Sequence, residues 1–597
     1  MVTINPQIVL KMVKVLDQIS LSKFVINLLL VLPLFIGSSL LAQEEQDLGT
    51  EVVNVVKPYT PSVSDAFKVR ETPLLDDSVT TRKKDVRYEI FSVPVASTFT
   101  PAKGQAATVE KSEPMKLYDS YASLGFGNYT SVLAELFSNF QISRTDNAGI
   151  FFRHNSSQGD IDDVLLENKF YDTKLDGNYI SRQRDLAYEV NAGVQHQLFN
   201  WYGLNPLFNE AEMGVVDAID PQQTYFSAYA GGEVQMDEST FQEARGKLSI
   251  LTDAFSSSEF RGELGVGFDF PVDDFSINLQ GDLDFLSGGF DRDYANLMKL
   301  DYSYLITGIT PAFNYTEDDF TVSLGAAVVF GFDLKNSSTD FYVYPRINAS
   351  YRLVDEVLIA YGGADGGLRQ NSYDQFRQEN PFVSPTLWIA PTNEQYDAFL
   401  GLKGKASNTV GYNLRVSYGS QENRALFQAN PYKGMSVNFE GYENGNSFGI
   451  VYDDIRTLSV FGELKVEISD NFSLGLNGSF YQYDLTNQAE PWNLPDFEAS
   501  LYSNFNITEQ IYGGVSFFFV GERKDLFMNE TTPLLPPTLM SLDSYFDLNA
   551  HVGYRVNDRF NIFLNGSNLT GQNYQKWMNF PVQRIQALLG ATYKFDW

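Results

Sequence analysis

The chain has 597 residues, no cysteine, three histidines and a formal charge of -32 at pH 7. The absence of cysteine excludes a disulfide framework, a thiolate metal site and an acylated lipoprotein anchor. The acidic balance argues against nucleic acid, whose phosphates it would repel. With 34 Tyr, 47 Phe and 45 Gly beside a mean hydropathy of -0.21, the composition suits a membrane barrel wall, in which alternate residues face lipid and a wet lumen.

The acidic excess has two interpretations. In the first, acidic residues in solvated turns and loops keep the chain soluble during export. In the second, divalent cations bridge acidic loops to lipopolysaccharide. Either interpretation is compatible with a protein embedded in outer-membrane lipid.

The first feature in chain order is an apolar run that begins at Phe24 and ends before Ala42, with three lysines ahead of it and acidic residues after it. This order is typical of a secretory signal peptide, so we expect residues 1–42 to be removed by cleavage near Ala42. The alternative is a membrane anchor helix, which Asn27 and Pro33 within the run disfavour.

Residues 43–116 are rich in proline, threonine, valine and charge, and they show no sustained period of 2 or 3.6. We therefore predict an extended periplasmic segment with at most one or two short strands.

Residues 117–597 repeat a period of two. One example alternates apolar Leu458, Val460, Leu464, Val466 and Ile468 with Ser459, Glu463, Lys465 and Glu467. Strands of soluble sandwiches also alternate, but they seldom reach ten residues. The length and number of these segments predict an all-β fold, a transmembrane antiparallel outer-membrane barrel.

Short polar turns alternate with long irregular stretches along this region. The turns include 316–319, 353–356, 469–471, 508–510 and 556–558, and the long stretches are 200–223, 369–391, 422–450 and 524–541. Short turns at one rim and long loops at the other are usual in outer-membrane barrels. Counting hairpins on this pattern predicts roughly 22 strands.

The chain ends in a strand with Gly590, Tyr593, Phe595 and Trp597, whose three aromatic side chains fall on one face. Barrels of this class resemble one another in such an ending, which implies an outer-membrane insertion signal that the barrel-assembly machinery recognises. The alternative is one more lipid-facing strand with its aromatic belt.

Several motifs together resemble the barrel of TonB-dependent outer-membrane receptors over roughly residues 380–597. They are Asn380-Pro381, Gly521 with Arg523, Asn568-Leu569, Tyr574, Phe580-Pro581 and Gly590. The resemblance implies binding or passage of a solute at the outer membrane.

Members of that family carry a globular plug domain ahead of the barrel, and residues 43–116 are too short to form it. Within this segment, Glu51, Val52, Val53, Val55 and Val56 are similar to the short β segment by which such receptors pair with TonB. A valine-rich hexapeptide is also common by chance.

No residue pattern indicates an enzyme, a cofactor or a metal site. Gly445-Asn446-Ser447-Phe448-Gly449 matches the nucleophile-elbow pattern, but no helix is expected after it. His154, His196 and His551 lack ligand spacing. We expect no catalytic residues.

Two functions stay open at this point. The first is a receptor-like barrel for a solute, and the second is a plugless barrel that serves as a structural or assembly subunit of an outer-membrane complex. Because a barrel of this size would leave a wide pore, we also expect residues 43–116, or a partner that they recruit, to block the lumen.

Overall fold

A computed structural model describes residues 117–597 except 206–212, 238, 273–274, 296–297, 435–438, 470 and 529–535. Its main sheet has 22 antiparallel strands, and the last strand pairs with the first, so the sheet closes into a barrel. This confirms the predicted fold class and strand number. The signal peptide assigned to 1–42 and the segment 43–116 lie outside the described residues.

The barrel strands are β1 Ser120–Gly127, β2 Val132–Gln141, β3 Asp146–Ser157, β4 Phe170–Arg182, β5 Leu186–Asn200, β6 Gln222–Met236, β7 Phe241–Asp253, β8 Ser258–Val272, β9 Phe275–Phe290, β10 Leu300–Glu317, β11 Phe320–Asp333, β12 Ser338–Val354, β13 Leu358–Arg369, β14 Thr392–Ser407, β15 Val410–Ala429, β16 Phe448–Ser469, β17 Phe472–Leu485, β18 Phe497–Asn506, β19 Ile511–Val520, β22 Tyr545–Arg555, β23 Phe560–Ser567 and β26 Gln586–Phe595.

Two hairpins and two short helices lie in the connections between barrel strands. They are β20 Arg523–Phe527 with β21 Thr538–Leu542, β24 Gln575–Trp577 with β25 Phe580–Pro581, α1 Met213–Val216 and α2 Tyr373–Glu379. No helix among the described residues is long and apolar enough to span a membrane.

The strand register separates an apolar face from a polar one. Leu464 pairs with Tyr412 and Leu476, while its chain neighbour Glu463 pairs with Asn413 and Asn477. Because side chains alternate along a strand, each of these rows lies on one face of the wall. The apolar row meets lipid, and the polar row lines the lumen.

The two ends of the barrel differ. The short-turn rim carries the even-to-odd connections, such as Asp318-Asp319 between β10 and β11, together with the start of β1 and the end of β26. The loop rim carries the long connections, including 201–221, 370–391, 430–447, 521–544 and 568–585. In barrels of this class the short turns face the periplasm and the long loops face outward.

The predicted insertion-signal residues lie at the seam. β26 pairs with β1 and β23. Trp597 packs edge-on against Phe595 at 5.4 Å between ring centroids and donates from Nε1 to the hydroxyl of Ser138 on β2. A Cβ at Gly590 would lie 2.7 Å from the carbonyl oxygen of Leu124, so only glycine fits there. Recognition by the assembly machinery stays a prediction.

Candidate functional site: a capped polar lumen

Three aromatic side chains meet at the outer mouth of the barrel. Phe382 stacks on Phe580 with ring centroids 3.8 Å apart, and Tyr202 lies edge-on to both, at 5.5 Å and 4.9 Å. We call these three side chains the hub. The Tyr202 hydroxyl also donates to the Pro581 carbonyl at 2.9 Å.

The hub lies over the lumen because of where its loops begin. Loop 201–221 joins the fifth and sixth barrel strands, loop 370–391 the thirteenth and fourteenth, and loop 568–585 the last two. These points are spaced almost evenly around the ring, so the three loops can meet only by folding inward over the lumen. Gly203 permits the contact, since a Cβ there would lie 2.4 Å from the Phe580 ring.

Helix α2 fastens loop 370–391 to the barrel wall at β8. The Glu259 carboxylate on β8 is only 5% exposed, and it accepts hydrogen bonds from the backbone N–H of Tyr373 at 2.6 Å, the N–H of Asp374 at 3.0 Å and the hydroxyl of Tyr302 at 2.7 Å. The N–H groups of a first helical turn lack partners within the helix, and they favour a carboxylate. We call this arrangement the latch.

Arg377 extends the latch toward β5 and β6. Its guanidinium is buried, donates to Gln197 and to Ser227, and pairs with Asp374. It also lies 5.1 Å from the centre of the Tyr225 ring. Since β5 to β8 are five to eight strands from β13, α2 reaches across the lumen to make these contacts.

We call the long connections of the loop rim, which meet at the hub and the latch, the cap. Family-like motif residues build one of these connections, loop 568–585. Asn568, at φ 47, donates from its side chain to the carbonyls of Gln572 and Gln583 and so ties together the ends of loop 568–585. Tyr574 stacks on Tyr545 at 4.0 Å. The backbone N–H of Leu569 donates to Leu548 at 2.8 Å.

Arg523 joins this loop to its neighbour. Its guanidinium donates to the carbonyls of Gln575 and Lys576 and lies 5.1 Å from the Tyr545 ring centre. Apart from Gly590, which lies in β26, the motif residues that suggested the family therefore belong to the cap.

Asp525 connects two further segments to the connection 521–544. It accepts hydrogen bonds from the side-chain amide of Asn493 at 2.8 Å and from the N–H of Ala429 at 3.0 Å. Burial raises the pKa of Asp525 to about 6. Lys433 pairs with the buried Glu443 at 2.8 Å within loop 430–447. Arg292 of loop 291–299 pairs with the same carboxylate at 3.2 Å and holds the two loops together.

The lumen below the cap is lined by ion pairs, most of them between strands. Arg261 binds Asp284 with two hydrogen bonds, at 2.9 and 2.5 Å. The same face carries Arg153–Glu135, Lys174–Asp176, Arg245–Asp282, Arg346–Asp365 and Arg415–Asp397. Such a wall is wettable and suits polar solutes better than apolar ones.

A cavity of about 330 Å³ lies between α2 and this wall. Asp374 and Gln378 of α2 form one side, and Lys174, Gln195, Ser227, Tyr229, Lys247, Ser249, Glu259 and Arg261 lie on the other. The cavity is at the lower end of the range for small-molecule sites, roughly 300–1,000 Å³.

The surroundings of Ser447, the candidate nucleophile, and of two histidines bear on catalysis and metal binding. The Ser447 hydroxyl donates to the Tyr442 carbonyl at 2.7 Å and accepts from Asn430. The register places His154 and His196 on one row with Thr173 between them, about 10 Å apart and too far to share an ion. The described residues contain no group of three His, Asp or Glu that could hold a metal.

Sequence patterns missed the cap contacts, although one signal for them was present. Residues 369–391 were predicted to be irregular, but Ser372 caps α2 and accepts from the N–H of Gln375. Ser followed three residues later by Gln is a capping-box pattern. No local pattern marks Glu259 as the long-range partner of α2, or Tyr202 as the partner of Phe382 and Phe580.

No protein-family model matches the chain, and no curated protein matches its sequence. Solved structures do match. The siderophore receptor PirA from Acinetobacter baumannii is 12% identical, with a TM-score of 0.60 over 80% of this chain and 81% of that one. The FrpB iron transporter from Neisseria meningitidis is 9% identical, with a TM-score of 0.61 over 80% and 82%.

The pyoverdine outer membrane receptor FpvA from Pseudomonas aeruginosa gives 12% identity and a TM-score of 0.59 over 81% of this chain and 80% of that one. At these identities the likeness shows the fold, the 22-stranded outer-membrane barrel of TonB-dependent receptors.

Proposed function

We propose that the chain is a TonB-dependent-receptor-like barrel of the outer membrane that binds a solute and passes it through its lumen. The observation that carries this proposal is a polar, ion-paired lumen closed at its outer mouth by the hub and the latch. A wet lumen offers a route for a polar solute, and closure by loops permits the route to open without breaking the wall. The siderophores and iron in the names of the similar structures are ligands of those proteins, and the proposal does not carry them over to this chain.

The test is single-channel conductance of the purified full chain in planar bilayers. Four proteins are compared: the wild type, the double variant Phe382→Ala/Phe580→Ala, a deletion of residues 51–116, and the deletion combined with the double variant. We expect the combination to conduct most, because it removes both the hub and residues 51–116, the segment that is expected to block the lumen. If all four stay tight, the lumen is not a route.

The hypothesis that residues 43–116 block the lumen is separable in the same experiment. If the deletion alone raises conductance, the segment contributes to closure. If it stays as tight as the wild type while the hub variant leaks, the loops close the mouth by themselves, and the segment is free for a partner.

We propose TonB as the partner of the segment that contains Glu51, Val52, Val53, Val55 and Val56. A segment that adds a strand to a partner sheet needs its backbone N–H groups. Val53→Pro removes one of them, so it should abolish energised uptake and leave barrel insertion unchanged. Val53→Thr, which keeps the N–H group and strand propensity, is the matched control.

The second candidate function is a structural or assembly subunit of an outer-membrane complex. The extent of cap packing favours it, since three loops join at the hub and α2 is fixed at the latch. Isolation of the detergent-extracted barrel decides between the two functions. A stoichiometric outer-membrane or periplasmic subunit together with zero conductance in all variants would support the assembly role.

A further inference from the structure

The cavity beneath α2 contains a lysine, Lys247, that forms no ion pair with the described residues. Five ionised side chains line the cavity, of which Lys174, Lys247 and Arg261 are basic and Glu259 and Asp374 are acidic. The cavity therefore presents an excess of basic groups, although the chain as a whole carries 75 acidic and only 43 basic residues.

Four of these five groups already have partners. Glu259 accepts the three hydrogen bonds of the latch, and Asp374 pairs with Arg377. Lys174 lies 3.2 Å from Asp176. Arg261 is held by Asp284, and it lies 3.4 Å from Glu263.

Lys247 differs, because it forms no ion pair with any residue in the described part of the chain. Its ammonium group lies 5.3 Å from the centre of the Tyr229 ring. Its cross-strand neighbour Glu263 is the carboxylate that lies against Arg261. Lys247 is therefore the basic group of this half-enclosed cavity that is most available to an anion.

We propose that this cavity binds a small polar solute through a single negatively charged group held by Lys247. The volume of about 330 Å³ admits a molecule of sugar or small-acid size. Hydroxyl and amide groups around it, on Ser227, Ser249, Gln195 and Gln378, suit a hydrogen-bonding body. This substrate class rests on the proposed function, since the lumen would be its route.

Ligand binding at this place would also act on the cap. The far side of the cavity is formed by Asp374 and Gln378 of α2, whereas the near side belongs to the fixed wall. A solute between them contacts both, so its occupancy changes the stability of the latched state. A ligand shifts such an equilibrium only by its different affinity for the two states.

The probes are glucuronate and glucose, which share a ring and differ in one carboxylate. Isothermal titration of the full chain in a neutral, sugar-free detergent should show at least ten-fold tighter binding of glucuronate. The Lys247→Gln variant should lose this preference, and Lys247→Arg should retain most of it. Amide hydrogen exchange of α2 should change when glucuronate is added to the wild type and not to Lys247→Gln.

Lys403→Gln is the matched control. The Lys403 ammonium group also lies on the lumen wall, 5.3 Å from the Tyr361 ring centre, but it does not line the cavity. This variant should bind glucuronate like the wild type. Equal affinity for both sugars, or equal loss in Lys247→Gln and Lys403→Gln, overturns the proposal.

The test of this site and the test of the proposed function can fail independently. Binding that depends on Lys247, together with zero conductance in every hub and deletion variant, keeps the site and rejects the transport route. Conductance without preference for glucuronate keeps the route and rejects this site.

Discussion

In the turns of the short-turn rim, side chains bond to backbone groups a few residues away, whereas several contacts at the loop rim join residues that are hundreds of positions apart. Asn557 accepts from the N–H groups of Arg559 and Phe560, and Thr508 accepts from those of Gln510 and Ile511. At the other rim, the Tyr202 hydroxyl bonds to Pro581 across a separation of 379 residues, and Asn446 bonds to Trp201 across 245.

This difference shows that the two rims are stabilised in different ways. Each turn forms as soon as its own hairpin forms, since an Asx-type turn needs only local residues. The cap forms only after the barrel has brought distant loops together, and losing one contact exposes the others. We therefore expect the cap to open as a unit of lower stability than the wall.

The largest expected effect is all-or-none labelling of cysteines at the two rims. Pro536→Cys lies in the connection between β20 and β21, and Asn557→Cys lies in the β22–β23 turn. A membrane-impermeant maleimide added to intact cells should label only the first, because the loop rim faces outward. Both positions should react after the outer membrane is permeabilised, and equal labelling in intact cells would mean that the assigned orientation is wrong.

The next largest effect concerns the hub. Phe580→Ala removes a ring that is 1% exposed and should destabilise the cap by about 3–5 kcal/mol. Amide hydrogen exchange of residues 370–391 should accelerate strongly, while that of the barrel strands stays unchanged. Leu569→Ala in the same loop is the control, since Leu569 is 37% exposed and should matter little. Equal acceleration of hydrogen exchange in the barrel wall and in the cap would contradict the expectation that the cap opens as a separate unit.

The wall between the rims has its own test. Leu464→Arg places a charge on the lipid face and should cost about 2–4 kcal/mol near the bilayer midplane. Glu463→Arg on the lumen face should cost much less, since it loses only the exposed ion pair with Lys465. Folding titrations into lipid vesicles measure both, and comparable losses would contradict the register.

The smallest expected effect is a pH dependence of the cap. The pKa of Asp525 rises from its ordinary value of 3.8 to about 6 because the carboxyl is buried. The folded state then binds more protons than the unfolded state between these values, so stability falls as pH rises from about 4 to 6.

The loss should be about 2 to 3 kcal/mol at most. Hydrogen exchange of residues 523–527 should be slower at pH 5 than at pH 7.5 after correction for intrinsic rates. Asp525→Asn should remove most of this difference in exchange rate between the two pH values. If the difference is unchanged in that variant, another titrating group causes it.

The cap shows where prediction from sequence reached its limit. Asn568, Tyr574 and Phe580-Pro581 were singled out by resemblance, and the structure gives them a place in one loop of the cap. Tyr202, Phe382 and Glu259 were not, because each acts through a partner on a distant part of the ring. The capping-box pattern at Ser372 would have predicted α2, but not that its N–H groups meet Glu259.

The sequence by itself determined the barrel: a period of two over long segments sets which residues face lipid, and polar turns set the number of hairpins. These are local properties, readable within ten or twenty residues. Only the tertiary structure decided how the mouth is closed and left Lys247 without an acidic partner among the described residues. Both depend on which loops and strands a closed ring of 22 strands brings within a few ångströms of each other, and that proximity has no local pattern.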